Sequence, residues 1–145
     1  MKKYSLIVAV LLSTALTVVA FGQTVLIVNT ANNVTSMSRT EVSNFYLGKT
    51  TKWSNGEKAI PVDQKKVNSA GKAFLANIVK MSESEFKKEW MSKMLSGEAE
   101  PLLLKANDEE VIEFVKANKG GIGYVSASSV EAGVKFVAID GKKEW

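Results

Sequence analysis

The segment from Asp63 to Phe74 reads DQKKVNSAGKAF and joins lysines to small residues where a helix is expected to begin. The first amides of a helix have no acceptors within it, and they lie at the positive end of the helix dipole. Ser69 is the expected N-cap. The amides of Ala70, Gly71 and Lys72 would then face outward and could donate to an oxyanion.

Two interpretations of this segment remain open at the level of sequence. In the first, Lys66 adds positive charge beside the amides, and Gly71 lets an anion approach without a Cβ in the way. In the second, Ser69 is an ordinary helix cap and the lysines stay in water. The residue types fit both an anion site and a plain helix start.

Composition excludes several classes of catalytic and metal site, because the chain contains no histidine and no cysteine. Serine–histidine triads, cysteine–histidine pairs and the usual zinc ligand sets all need one of these residues. The acidic run NDEE at 107–110 is interpreted as a first helical turn that complements the helix dipole, not as a metal site. Asp63 and Lys66 could transfer protons, but nothing in the pattern supports that role. We therefore expect a binding protein and not an enzyme, with no metal and no cofactor.

The N-terminus has the layout of a secretory signal peptide. Lys2 and Lys3 precede the apolar run 6–21, and Ala20 and Gly22 fit the preference for small residues at a cleavage site. We predict that residues 1–22 are a signal peptide and that 23–145 form one domain in the periplasm or outside the cell. An uncleaved anchor is the alternative, although the run is shorter than the ~20 residues of a spanning helix.

The charge of the chain is modest. The formal net charge is +4, and it falls to +2 when Lys2 and Lys3 are removed. The remaining lysines are mixed with glutamates, as on a solvated surface. Neither the charge nor its distribution predicts a nucleic-acid partner.

Apolar periodicity and capping signals predict strands that alternate with helices. The run Thr24–Asn29 is continuously apolar and indicates a strand buried on both faces. The predicted helix starts are Ser38, Ser69, Ser82 and Asn107, and the further predicted strands are 58–63, 121–125 and 134–139. Residues 97–106 are predicted to be a connector. The alternation favours an α/β fold with a mostly parallel sheet flanked by helices.

Three blocks resemble the substrate-binding proteins of phosphate ABC transporters. In residues 29–64 a predicted helix ends in FYLGK, a Trp and a turn glycine follow, and a strand comes next. The block KKVNSAGKAF is similar to the family's Arg…Ser-Gly-Thr helix start, and EEVIEFVKANKGGIGYVS is similar to its helix followed by Gly-x-Ile-Gly-Tyr-Val. The blocks occur in the family's order and cover nearly all of residues 23–145.

The resemblance implies a fold, a ligand and a partner. The fold would be a single periplasmic-binding-protein type II-like lobe, the ligand inorganic phosphate or a similar oxyanion, and the partner a membrane transporter or an envelope protein. The site residues that it implies are Lys66, Ser69, Ala70 and Gly71. Asn32 and Thr35 lie in the loop after the first predicted strand, and this position at the carboxyl end of a strand predicts that they border the cleft.

The chain departs from the family pattern in two ways. Ser69-Ala70-Gly71 replaces Ser-Gly-Thr and Lys65 or Lys66 replaces the arginine, so a hydroxyl and a bidentate guanidinium are lost. Counterparts of the first lobe are also missing, which implies weak binding. The alternative function is that of a non-transport envelope scaffold, which reuses the lobe for protein contacts.

Overall fold

The computed structural model describes residues 23–145, so the predicted signal peptide lies outside the described residues. The strands are β1 Thr24–Asn29, β2 Ser36–Met37, β3 Ile60–Gln64, β4 Leu103–Lys105, β5 Gly121–Ser126 and β6 Val134–Ile139. The helices are α1 Arg39–Tyr46, α2 Ser69–Phe74, α3 Glu83–Ser96 and α4 Asp108–Ala117. A π-helical turn, Leu75–Val79, continues α2, and a short 3-10 helix, Ala127–Ser129, follows β5.

Side-chain caps start three of the helices as the sequence predicts. Ser38 accepts from the amide of Glu41, whose carboxylate accepts from the amide of Ser38, and this is a complete capping box. Ser82 and Glu85 form the same box at the start of α3, and the side chain of Asn107 caps α4. Each cap satisfies amides that the helix itself leaves without acceptors.

The sheet has the strand order β2-β6-β1-β5-β3-β4. The pairs β2–β6, β3–β5 and β3–β4 are parallel, whereas β1 runs antiparallel to both β5 and β6. The predicted α/β fold with a mostly parallel sheet is therefore confirmed. Strand β1 therefore runs in the opposite direction to β3, so the carboxyl ends of these two strands lie at opposite ends of the strands of the sheet.

The structure corrects one predicted connector. Residues 103–105 form β4, which pairs in parallel with β3 from Val62 onward. Its side chains are largely exposed, so the segment shows no apolar alternation that would reveal a strand. Pairing with β3 determines its conformation, and local sequence preference does not.

Both faces of the sheet are covered. Helices α1, α2 and α3 cover one face, where Tyr46, Phe74 and Trp90 belong to the larger apolar cluster. Helix α4 covers the other face with Val111 and Val115. All residues of β1 are buried, which confirms that the apolar run is a strand enclosed on both faces.

Two glycines of β5 allow α4 to lie close to the sheet. A Cβ on Gly123 would lie 2.5 Å from Cγ1 of Val111, and a Cβ on Gly121 would lie 3.2 Å from Cα of Val115. The glycine-rich strand thus permits the close backbone approach that its composition predicts. This packing fixes α4, and with it Asp108 at the start of the helix, against the sheet.

Candidate functional site

The segment 63–74 lies at the carboxyl end of β3 and continues into α2. Lys65, Lys66 and Ser69 are exposed, whereas Ala70 and Gly71 are buried. Within residues 23–145, neither lysine takes part in an ion pair. Four of the six predicted site residues, Lys66 among them, therefore lie together, next to a second unpaired cation, Lys65.

The N-cap of α2 is Asn68, so the prediction that Ser69 is the cap is wrong. Asn68 has extended backbone, and its side chain accepts from the amide of Gly71 at 2.9 Å. The next helical bond runs from the amide of Lys72 to the carbonyl of Asn68. Asparagine caps helices at least as well as serine, and here it comes one residue earlier.

This cap reduces the number of amides that an anion could use. The amides of Gly71 and Lys72 already have acceptors on Asn68. Among the contacts of the described residues, the amides of Ser69 and Ala70 have none. The first two amides of α2 are thus the remaining donors at this helix start.

Gly71 does not open the helix start toward solvent. A Cβ on this residue would lie 3.4 Å from both the Tyr124 hydroxyl and Cγ1 of Val67, at ordinary van der Waals distance. The missing side chain would point into the protein. Gly71 therefore packs α2 against β5 and does not clear a path for an anion.

Asn32 and Lys66 lie at opposite ends of the strands, because Asn32 follows β1 and Lys66 follows β3. The amide of Asn32 donates to the carbonyl of Asn29, and the side chain of Asn29 donates at 2.9 Å to the carbonyl of Val115, near the end of α4. The segment around Lys66 is instead next to the start of α4, a helix of 10 residues and so about 15 Å long. The antiparallel direction of β1 causes this separation.

Thr35 is also distant from the helix start. Its carbonyl accepts from the amide of Ala138, and it precedes β2, which is the outermost strand beside β6. Four strand spacings separate β2 from β3, or about 19 Å. The structure does not bring Asn32 or Thr35 together with the other predicted residues.

A partly buried polar network, which the sequence analysis missed, lies at the carboxyl end of β3, beside the start of α2. The Gln64 amide donates to Asp108 at 2.7 Å and to the carbonyl of Tyr124 at 3.2 Å. The Asn68 amide donates to Gln64 Oε1 at 2.9 Å. Asp108 also accepts from the amide of Ser126 at 3.0 Å. The position of Gln64, the last residue of a buried strand, was the signal that could have revealed this network.

A second buried pair lies on the opposite face of β3. The Tyr124 hydroxyl donates to Oδ1 of Asp63, which also accepts from the amide of Gln64. Burial raises the pKa of the Asp63 carboxyl, although these two hydrogen bonds oppose the shift. Burial and the nearby Asp63 charge raise the pKa of Tyr124 as well. Asp63 is thus a structural acceptor that lies next to the exposed lysines.

Among residues 23–145 there is no group of three or more acidic side chains arranged to hold a metal ion. The carboxylate of Asp108, in the acidic run 107–110, accepts hydrogen bonds from Gln64, Ser126 and Ser129. In the same part of the chain, no helix has both the length and the apolar character needed to cross a bilayer.

Comparison with known sequences identifies the family of this domain. A sequence model of the PBP superfamily domain matches residues 14–142. The chain belongs to that family. No curated protein matches it significantly. The family match confirms the resemblance to periplasmic-binding proteins that the sequence blocks suggested.

Solved structures share the fold of this PBP-family chain. A protein from Clostridium perfringens, described as a phosphate ABC transporter substrate-binding protein with bound phosphate, gives a TM-score of 0.68 at 22% identity, over 83% of this chain and 46% of that chain. An ABC-type phosphate transport receptor from Vibrio cholerae gives 0.65 at 18% identity, over 82% and 46%. PstS from Borrelia burgdorferi gives 0.62 at 15% identity, over 83% and 48%. This chain therefore spans about half the length of each of these proteins.

Proposed function

We propose that this PBP-family domain is a binding module for phosphate or a similar oxyanion, at the carboxyl end of β3. The observation that carries the proposal is the position of Lys65 and Lys66, exposed and without ion pairs among the described residues, beside the amides of Ser69 and Ala70, which have no acceptor there. Cations and free amides are the groups that bind oxyanions. Gly71 contributes packing to this site and no donor.

The ligands of structurally similar proteins support this choice. One of them was solved with phosphate bound, and another is a phosphate transport receptor. These proteins share the fold of this chain, and phosphate is therefore the first ligand to test here. Their sequence identity is low, so the choice is an analogy of fold. The same analogy makes a membrane transporter or an envelope protein the partner, and the periplasm or the exterior the location, with residues 1–22 acting as the signal peptide.

Binding by this lobe alone is expected to be weak. A charge at an exposed helix start gains about 0.3–1 kcal/mol, and two charge-assisted hydrogen bonds add a few kcal/mol before ordering costs are subtracted. The sum is close to the ~4 kcal/mol of a millimolar complex. A second polypeptide that covers the site and excludes water would tighten binding.

A phosphate titration of the purified protein tests the proposal. Phosphate should raise the melting temperature saturably, relative to chloride at equal ionic strength. The double variant Lys65→Ala/Lys66→Ala, which removes both cations of the proposed site, should lose the response. Lys119→Ala removes an exposed lysine at the far end of α4 and should keep it. A flat response of the wild-type protein would refute the proposal.

One observation favours the alternative role in protein contacts. Met91, Met94 and Leu95 on α3 are exposed, as are Leu103 and Leu104 on the edge strand β4. Neighbouring exposed apolar side chains often mark an interaction surface. A flat phosphate titration, together with a stable complex lost in Leu95→Asp, would favour the scaffold role.

A further inference from the structure

A pocket of about 320 Å³ lies between α3 and the ends of β3 and β4. Most of its lining is apolar, with Phe86, Trp90, Met91 and Met94 contributed by α3 and Leu104 contributed by β4. Its volume is within the range of small-molecule sites, which are mostly apolar with a few polar groups at defined positions. Free phosphate has no apolar surface that could use such a lining.

Two lysines and two carboxylates line the pocket, and one of the lysines has no ion pair in the described part of the chain. Of the charged residues that line it, Glu83 and Lys87 pair with each other at 2.7 Å. Asp63 accepts hydrogen bonds from Tyr124 and from its own neighbour in the chain. Lys65 also lines the pocket and has no ion pair among residues 23–145. The pocket therefore combines an apolar lining with a cation, Lys65, that has no ion pair among the described residues and can pair with an anionic group.

The pocket shares Lys65 with the proposed anion site. Lys65 lines the pocket and is followed directly by the exposed Lys66, and Val67 lines the pocket again. A negative group held near these lysines would leave the rest of its molecule next to the wall formed by α3. The lysines thus suit the negative end of a ligand, and the apolar pocket suits the apolar end of the same ligand.

We propose that this site takes an organic oxyanion, a phosphonate or phosphate monoester with a compact apolar group, in preference to inorganic phosphate. The inference rests on the proposed function and specifies its substrate class. The head group lies at Lys65 and Lys66, and the apolar group fills the pocket beside Trp90 and Met94. Burial of an apolar group as large as a side chain tightens binding by about 10- to 100-fold.

Isothermal titration calorimetry with phosphate, methylphosphonate and phenylphosphonate tests the inference. Affinity should rise in that order, with phenylphosphonate about 10- to 100-fold tighter than phosphate. Leu104→Asn should remove most of this gain, measured as the ratio of the phenylphosphonate and phosphate affinities of the same variant. Leu95→Asn is the matched control, since Leu95 is 84% exposed and does not line the pocket, and it should keep the gain.

The possible failures are distinguishable. If phosphate and phenylphosphonate bind equally, the organic ligand is refuted and the oxyanion site stands. If Leu104→Asn retains the full preference, the pocket is not the site of the apolar group, which also refutes the inference. If benzyl alcohol binds as tightly as phenylphosphonate, the anionic head group contributes nothing to affinity, and the inference is refuted. If none of the anions binds, the proposed function fails as well.

Discussion

The side-chain amide of Gln64 donates a 2.7 Å hydrogen bond to the carboxylate of Asp108, and so joins the end of β3 to the first turn of α4. Asp108 also accepts from the amide of Ser126 at 3.0 Å and from the hydroxyl of Ser129 at 2.8 Å. One carboxylate thus connects a strand end, a helix start and the turn after β5. This junction stabilises the carboxyl end of β3, where the proposed ligand site lies.

Asp108→Ala should lower the free energy of unfolding by about 2 kcal/mol, because it removes an acceptor of three hydrogen bonds and leaves their donors without a partner. Glu109→Ala removes an exposed carboxylate from the same turn of α4 and should cost less than about 1 kcal/mol. Urea denaturation of both variants measures the difference. Equal losses would show that the junction contributes nothing beyond the helix dipole.

Asn68→Ala should cost about 1–2 kcal/mol, because the side chain that caps α2 is lost. Ser69→Ala should change stability by less than about 0.5 kcal/mol, since this exposed hydroxyl has no cap role. Thermal unfolding of the two single variants compares them directly. A larger loss for Ser69→Ala would contradict the cap that the structure assigns.

Gly123→Ala should destabilise the protein by about 1–3 kcal/mol, because the new Cβ would lie 2.5 Å from Cγ1 of Val111 in a packed core. Val111→Ala should relieve part of this cost in the double variant, so the two effects should not add. Gly71→Ala is the matched control and should be neutral or slightly stabilising, since its Cβ has room and the helix gains propensity. Additive losses at Gly123 and Val111 would argue against their contact.

Asp63→Asn should stabilise the protein at neutral pH. Burial raises the pKa of Asp63 above its ordinary value of 3.8, so the folded state holds its proton to higher pH than the unfolded state does. Stability is therefore lost as the pH rises from about 3.8 through the folded-state pKa. The neutral amide can still accept from Tyr124 and avoids this loss.

Urea denaturation at pH 3.5 and pH 7 measures the effect of Asp63→Asn. The variant and the wild type should differ little at the lower pH, where both side chains are neutral, and the variant should be more stable at the higher pH. Glu57→Gln, at an exposed carboxylate, should not reproduce this pattern. A variant that is less stable than the wild type at pH 7 would contradict the prediction.

Local signals in the sequence predicted most of the elements. The capping boxes at Ser38 and Ser82, and the cap at Asn107, are formed by residues within one turn, so their spacing alone reveals them. The continuous apolar run Thr24–Asn29 likewise predicts, without any other information, a strand that is buried on both faces. Strand β4 was not predicted, because its exposed leucines show no alternation of apolar and polar residues. Its conformation depends on pairing with β3.

The site was predictable only where its parts are neighbours in sequence. Lys66, Ser69 and Ala70 are close in the chain and lie together in the structure. Asn32 follows the first strand and would lie with them only if β1 ran parallel to β3, whereas it runs antiparallel; no residue pattern reveals strand direction. The pairing of Gln64 with Asp108 joins residues far apart in the chain, so spacing rules could not find it.

The position of β1 has a consequence for synthesis of the protein. Val25 is paired with Val125 and Leu26 with Val137, so the first strand acquires both neighbours when the last strands emerge from the ribosome. At about 5–20 residues per second, this apolar strand waits unpaired for roughly 5–20 s. During that interval the nascent chain cannot close its sheet, and the exposed apolar strand remains available to chaperones.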